Sequence, residues 1–160
     1  MITACVLTLS DKGSRGERKD ESGPAISEML SRIDCTVVHY EVLPDDKDLI
    51  KLKLIECAKK ADLVLTTGGT GLSPRDVTPD ATLEVIDREI PGIAEVMRAE
   101  GMKATRRSML SRAVVGVLGQ SLIINLPGSP RAVRENLGVV LDELPHAIEK
   151  IKGLGGDCAR

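Results

Sequence analysis

The sequence predicts an α/β fold with a mostly parallel central sheet and one antiparallel strand, and three features of the chain point to it. Short apolar runs of strand length alternate with segments whose apolar residues recur at helical spacing. The segments after those runs are rich in Gly, Thr, Ser and Asp, as loops at the carboxyl edge of such a sheet are. Gly119-Gln120, between two apolar runs, marks a tight hairpin and therefore the place where an antiparallel strand enters.

Thr3 to Leu9 is a nearly unbroken apolar run, the signature of a strand covered on both faces. The stretch from Ser10 to Glu21, SDKGSRGERKDE, has almost nothing to bury and reads as a long polar loop. Ser22-Gly23-Pro24 opens a helix with Ile26, Met29, Leu30 and Ile33 on one face. Thr36 to Val42 is a β-branched strand, and Leu43-Pro44-Asp45-Asp46 turns into a helix from Lys47 to Ala61 with Leu49, Leu52 and Cys57 along it. Asp62 to Thr67 is a third strand. Thr78-Pro79-Asp80 starts a helix with Leu83 and Ile86 inward, and Pro91-Gly92 starts another carrying Ile93, Val96 and Met97. Residues 113–118 and 121–126 form the hairpin. Ser129-Pro130 begins the last long helix, striped by Val133, Leu137, Val140, Leu141 and Leu144, which Pro145 kinks or restarts. The Gly-rich tail from Gly153 to Arg160 reads as frayed.

The 160 residues are 42% hydrophobic and 29% charged with a net charge of −2, the proportions of one ordinary domain spanning 1–160. The first 80 residues hold 11 basic and 14 acidic side chains and the rest 11 and 10, so no basic tail is present for nucleic acid. Tyr40 is the sole aromatic residue, which excludes a base-stacking platform. No apolar run nears the ~20 residues of a membrane helix, and Met1 leads directly into a strand, so a cytoplasmic protein without membrane or nucleic-acid partners is expected. Cys5, Cys35, Cys57 and Cys158 lack zinc-site spacing and read as reduced thiols, the first three of them small core residues.

Chemistry is expected at the loops that leave the strands. These carry Ser10-Asp11, Asp45, the run Thr67-Gly68-Gly69-Thr70-Gly71, and Pro127-Gly128-Ser129. Glycines let backbone N–H groups approach an anion, and a following helix N-terminus favours it, so a phosphate is the natural ligand. Taken alone such a loop would as readily be a plain turn. Asp76 follows it within a few residues, and hard carboxylate oxygens beside phosphates are how Mg²⁺ is commonly held. An Asx-turn for Asp76 and a helix cap for Asp45 are the competing structural roles. Arg75, Arg112 and Arg131 are candidate anion partners. There is no GxxxxGK[ST] loop, no GxGxxG fingerprint and no Ser-His-acid triad, and Ser129 reads as a helix cap.

The ordered segments LTLSD (7–11), SGP (22–24), LPDD (43–46), LVLTTGGTGLSPRDVTPDAT (63–82), DREIPG (87–92), LSRAVVGV (110–117) and LIINLPGSPRAVRENL (122–137) together resemble the MoaB/Mog family of molybdenum-cofactor biosynthesis. The resemblance runs from Leu7 to about Leu144 and implies a three-layer α/β/α molybdopterin-binding domain assembled as a homotrimer. It implies binding of molybdopterin and MgATP, with attack of the molybdopterin phosphate on the α-phosphate of ATP and release of pyrophosphate, upstream of a molybdenum-insertion protein. It places the catalytic acids, and the Mg²⁺ ligands, at Asp45 and Asp76. It places substrate and nucleotide contacts at Thr67, Gly68, Gly69, Thr70, Gly71, Pro127, Gly128 and Ser129, with Ser10 and Asp11 beside them. A non-catalytic carrier that holds the pterin through the same loops is the alternative.

Overall fold

In the computed structural model of the protein, which describes residues 1–156, six strands form one sheet in the order β2-β1-β3-β6-β5-β4. The strands are β1 (Ile2–Leu9), β2 (Cys35–Leu43), β3 (Leu63–Thr67), β4 (Arg88–Glu89), β5 (Val115–Leu118) and β6 (Ser121–Leu126). The helices are α1 (Asp11–Ser14), α2 (Ser22–Leu30), α3 (Lys47–Ala58), α4 (Thr78–Val85), α5 (Pro91–Ala104), α6 (Pro130–Val140) and α7 (Leu144–Ile151). β2, β1, β3 and β6 run parallel, and β5 pairs antiparallel with β6 across the Gly119-Gln120 turn as expected. The helix after β1 leads outward to β2, whereas the helix after β2 leads back across to β3. The chain therefore reverses direction between β1 and β3, and a crevice opens at their carboxyl ends.

Alternate residues of the central strands feed two cores, which makes the architecture three-layered. Ala4, Val6, Leu63, Leu65, Leu122 and Ile124 face α2, α5, α6 and α7. Cys5, Leu7, Val64 and Ile123 face α3 and α4. Cys5, Cys35 and Cys57 are buried free thiols, as expected, and Cys158 lies outside the described residues together with the end of the Gly-rich tail. No helix among the described residues is long and apolar enough to cross a membrane.

Several boundaries and faces differ from expectation. The polar loop after β1 contains one helical turn, α1, because the Ser10 hydroxyl accepts a hydrogen bond from the Gly13 N–H at 2.9 Å. Helix α3 stops at Ala58, three residues early. On α4 the buried face is Thr78, Pro79, Ala81 and Thr82, while Leu83 is 49% exposed; on α5 it is Ala94, Met97 and Gly101, while Val96 is 46% exposed. The two-residue strand β4 was below the length at which periodicity registers. The stripe of the last helix is real, and Pro145 restarts it as α7 after a turn at Leu141–Glu143.

Asn125, buried in β6, knots the layers together. Its Oδ1 accepts from the Val114 N–H at 3.1 Å, and its Nδ2 donates to the hydroxyls of Thr66 on β3 and Thr82 on α4, both at 3.0 Å. Replacing it strands a buried donor and two hydroxyls. Asn125→Ala is expected to lower stability by about 2–4 kcal/mol with the secondary structure retained, measured by urea denaturation followed by circular dichroism.

Candidate functional site

The loops after β1, β2, β3 and β6 meet at the crevice and enclose a cleft of about 490 Å³. Ser10, Asp45, Thr67, Gly68, Gly69, Asp76, Gly128 and Ser129 all line it. The loop after β3 can lie this close to its neighbours only as glycine. A Cβ on Gly68, whose φ is +94°, would sit 2.5 Å from the Leu9 carbonyl oxygen, and one on Gly69, at φ +67°, would press on the Thr78 hydroxyl and lie beside Asp45 Oδ1. The Gly68 N–H donates to the Leu126 carbonyl at 3.1 Å, and the Thr67 hydroxyl donates to the Pro127 carbonyl at 2.6 Å, so β3 and β6 leave the sheet locked together. Among the described residues the N–H groups of Gly69, Gly128 and Ser129 donate to no backbone carbonyl, which leaves them for a ligand. Ser129 caps α6 through a 3.2 Å bond from the Ala132 N–H and points the positive end of that helix at the cleft.

Thr70, Gly71 and Pro127 are not on this side. They line a second cleft of about 240 Å³ with Leu110, Asn136 and residues of the segment 105–111, so the Gly/Thr loop is a wall shared between two cavities.

The two aspartates of the site are held differently. Asp46, not Asp45, caps α3, through a 2.9 Å bond from the Leu49 N–H. Asp45 is thereby released to the cleft, where its Oδ2 accepts from the Asp11 N–H at 3.2 Å and its Oδ1 is buried without any hydrogen-bond partner. Asp76 takes the turn role, one oxygen accepting from the Ser73 N–H at 2.9 Å, and the residue also lines the cleft.

Asp11 is not a free ligand-binding group. Its Oδ1 accepts from the Asp45 N–H at 3.0 Å, returning the bond Asp45 receives from it, and Arg75 grips both its oxygens at 2.8–3.0 Å. The Asp45 amide and then Arg75 hold the Asp11 carboxyl below its usual range. Asp45 moves the other way: burial, with the nearby charges of Asp11 and Asp76, raises its pKa. Arg112 is likewise committed, donating to the carbonyls of Gly71 and Asp76 and pairing with Asp80, so it braces the loop and does not line the first cleft. Arg131 pairs with Glu135 on the surface.

An unpartnered, buried carboxylate oxygen beside a second carboxylate, with no cation hydrogen-bonded to either, is a donor set that fits a divalent ion. No group of three or more His, Cys, Asp or Glu side chains that could hold a metal occurs among the described residues, so such an ion would fill its shell with substrate oxygens and water, as Mg²⁺ does beside phosphates.

Periodicity gave no sign of Arg18, Lys19, Asp20 and Glu21, which also line the cleft. Asp20 closes the start of α2: it accepts from the N–H groups of Ser22 and Gly23, from the Thr8 hydroxyl at 2.7 Å and from the Tyr40 hydroxyl. The SGP that follows it is the one sequence signal for this cap.

A doubly wound sheet with a glycine-lined, acidic cleft at its reversal point defines the class, an α/β domain with a ligand crevice at the carboxyl ends of its strands. Residues 5–146 match the family model described as the probable molybdopterin binding domain, and the chain belongs to that family. It is 43% identical over 152 residues to a molybdopterin adenylyltransferase of Helicobacter pylori, covering 92% of this chain and 86% of the relative, and 40% identical to one from Pyrococcus furiosus, covering 90% and 88%. The crystal structure of the molybdopterin biosynthesis enzyme MoaB from Thermus thermophilus superposes with a TM-score of 0.90 at 50% identity, covering 96% of this chain and 98% of that one.

The raised pKa of Asp45 carries a stability consequence. A carboxyl harder to ionise in the folded state costs nothing below its ordinary value near 4 and destabilises increasingly as the pH rises through its raised value. Asp45→Asn is therefore expected to stabilise the metal-free protein at pH 7.5 by up to about 1 kcal/mol, with the gain vanishing near pH 4, as read by paired urea denaturation curves.

Proposed function

We propose that this protein is a molybdopterin adenylyltransferase acting as one domain in the cytoplasm, with MgATP as the second substrate. The observation that carries the reading is Asp45 Oδ1, buried and unpartnered beside Asp76 in a cleft whose other wall is unspent backbone N–H groups. The family and the adenylyltransferases it resembles over most of its length supply the substrate class.

The nucleophile in this reaction is a phosphate monoester oxygen. With a second pKa near 6 it is already a dianion at neutral pH, so no general base is required of the protein. An oxygen of the molybdopterin phosphate forms a bond to the α-phosphorus of ATP as the bond to the bridging oxygen of the β-phosphate breaks, and pyrophosphate leaves with that electron pair. The chain's contribution is to align the two phosphates and offset their charge. Gly69, Gly128 and Ser129 offer N–H donors, and the α6 N-terminus favours the anion; Asp11, through its paired bonds with Asp45, fixes the direction of that carboxylate. Mg²⁺ held by Asp45 and Asp76 would neutralise charge developing on the phosphoryl oxygens.

The carrier alternative needs the same N–H donors but has no use for a buried, costly carboxylate. Asp76→Asn is expected to reduce pterin-dependent pyrophosphate release by at least about 100-fold while leaving the circular dichroism spectrum and molybdopterin binding intact. Unchanged release in that variant would remove Asp76 from the reaction, and release undetectable even in the wild type, with tight pterin binding, would establish the carrier.

We also read the protein as a homotrimer. Leu72, Met109 and Leu110 are 64%, 58% and 49% exposed, and Val96 and Met102 of α5 are exposed as well, apolar side chains that an interface between copies would cover. Light scattering at micromolar concentration is expected to give three times the mass of the chain, and a monomer would refute the assembly while leaving the chemistry open.

A further inference from the structure

We propose that Arg18 and Lys19 grip the β- and γ-phosphates of the nucleotide and hold the pyrophosphate that leaves. The inference rests on the adenylyl-transfer reading and adds to it the residues that recognise the leaving group. Four acids, Asp20, Glu21, Asp45 and Asp76, line the cleft, and a polyphosphate brings several further negative charges into it. Cations that meet such a ligand offset the repulsion between it and these acids. Arg75 is spent on Asp11, Arg112 on Asp80 and two carbonyls, and Arg131 on Glu135. Arg18 and Lys19 line the cleft, and neither makes a side-chain hydrogen bond or ion pair among the described residues.

Their position is built, although their side chains are exposed. On one side the Glu17 N–H donates to the Lys12 carbonyl at 2.9 Å, and the Glu17 carboxylate neutralises the remaining strap cation, Arg15. On the other, Asp20 is tied to the backbone of α2, to β1 through Thr8 and to β2 through Tyr40. Two consecutive cations are thus held between two anchors at the rim, across from the buried glycine loop. A solvated rim suits a group that must depart after every turnover, whereas the deeper N–H donors suit the phosphates that become joined. The four acids against two cations also make the cleft selective for a polyphosphate arriving with its divalent ion.

The test compares wild type, Arg18→Ala/Lys19→Ala and the charge-preserving Arg18→Lys/Lys19→Arg in the full chain. Pyrophosphate with Mg²⁺ is titrated calorimetrically, molybdopterin binding is followed by pterin fluorescence, and the KM for ATP is measured. Expected is at least about a tenfold loss of pyrophosphate affinity and a matching rise in KM for ATP in the alanine variant, with pterin affinity unchanged and most of the loss restored in the charge-preserving variant. An active wild type whose alanine variant binds pyrophosphate equally well would overturn the grip, and so would a loss confined to pterin binding, since the cations would then serve the other substrate. A wild type that neither binds pyrophosphate nor releases it from ATP would overturn the adenylyl-transfer reading itself.

Discussion

The site depends on the closeness of three backbones where β1, β3 and β6 end. Gly68 lies so near the Leu9 carbonyl that no side chain fits between them, its N–H is tied to Leu126, and Gly128 packs against it. Parallel strands normally deliver their loops to the same edge separated by side chains; removing those side chains at one point lets main-chain donors from two loops converge on a small volume. The Thr67 hydroxyl on the Pro127 carbonyl and the Asn125 knot one residue deeper keep the strands from sliding apart. Glycine supplies the approach, and the buried polar contacts beneath it supply the rigidity that glycine lacks.

Charge in the cleft is arranged around what is left unpaired. Most of the arginines near the edge are consumed in bracing: Arg75 holds Asp11, and Arg112 spans Gly71, Asp76 and Asp80. Through its paired bonds with Asp45, Asp11 carries the effect of Arg75 inward, so an exposed ion pair of little worth by itself fixes the direction of a half-buried carboxylate. Asp45 consequently keeps one buried oxygen without a hydrogen-bond partner among the described residues, and its burial makes the carboxyl harder to ionise. Stability is given up where binding needs it.

The fold was legible in the sequence because its signals are local. Strand runs, the Gly119-Gln120 turn and the Pro145 restart each act within a few residues, and each appears where expected. Faces were less legible: Leu83 and Val96 satisfy the helical period but stand in solvent, because the spacing between helix and sheet admits Ala81 and Ala94 instead. The candidate site was legible as a set of loops and not as a geometry. Nothing in LPDD says which aspartate caps the helix, and nothing in TTGGTG says that Thr67, Gly68 and Gly69 face one cavity and Thr70 and Gly71 another. The strap residues 15–21 were illegible for a further reason: with no apolar residue to bury, their placement comes from Asp20 bonding to three separate elements, a long-range fact that periodicity does not encode.

Holding a pterin phosphate and transferring a nucleotide to it make different demands on the same edge of the sheet. Binding one phosphate requires donors, and the converging N–H groups with the α6 terminus meet that need. Transfer brings a second, more highly charged phosphate chain against the first, and like charges at bonding distance repel strongly in a water-poor cleft. A protein that only carried the pterin would lower its energy by filling such a cleft with paired side chains. Among the described residues no cation is hydrogen-bonded to the carboxylates of Asp45 and Asp76, and two cations at the rim make no hydrogen bond or ion pair. Opposite charges kept apart within one cavity are costly to maintain, and a ligand that is itself divided, a polyphosphate with its metal ion, would satisfy both sets at once.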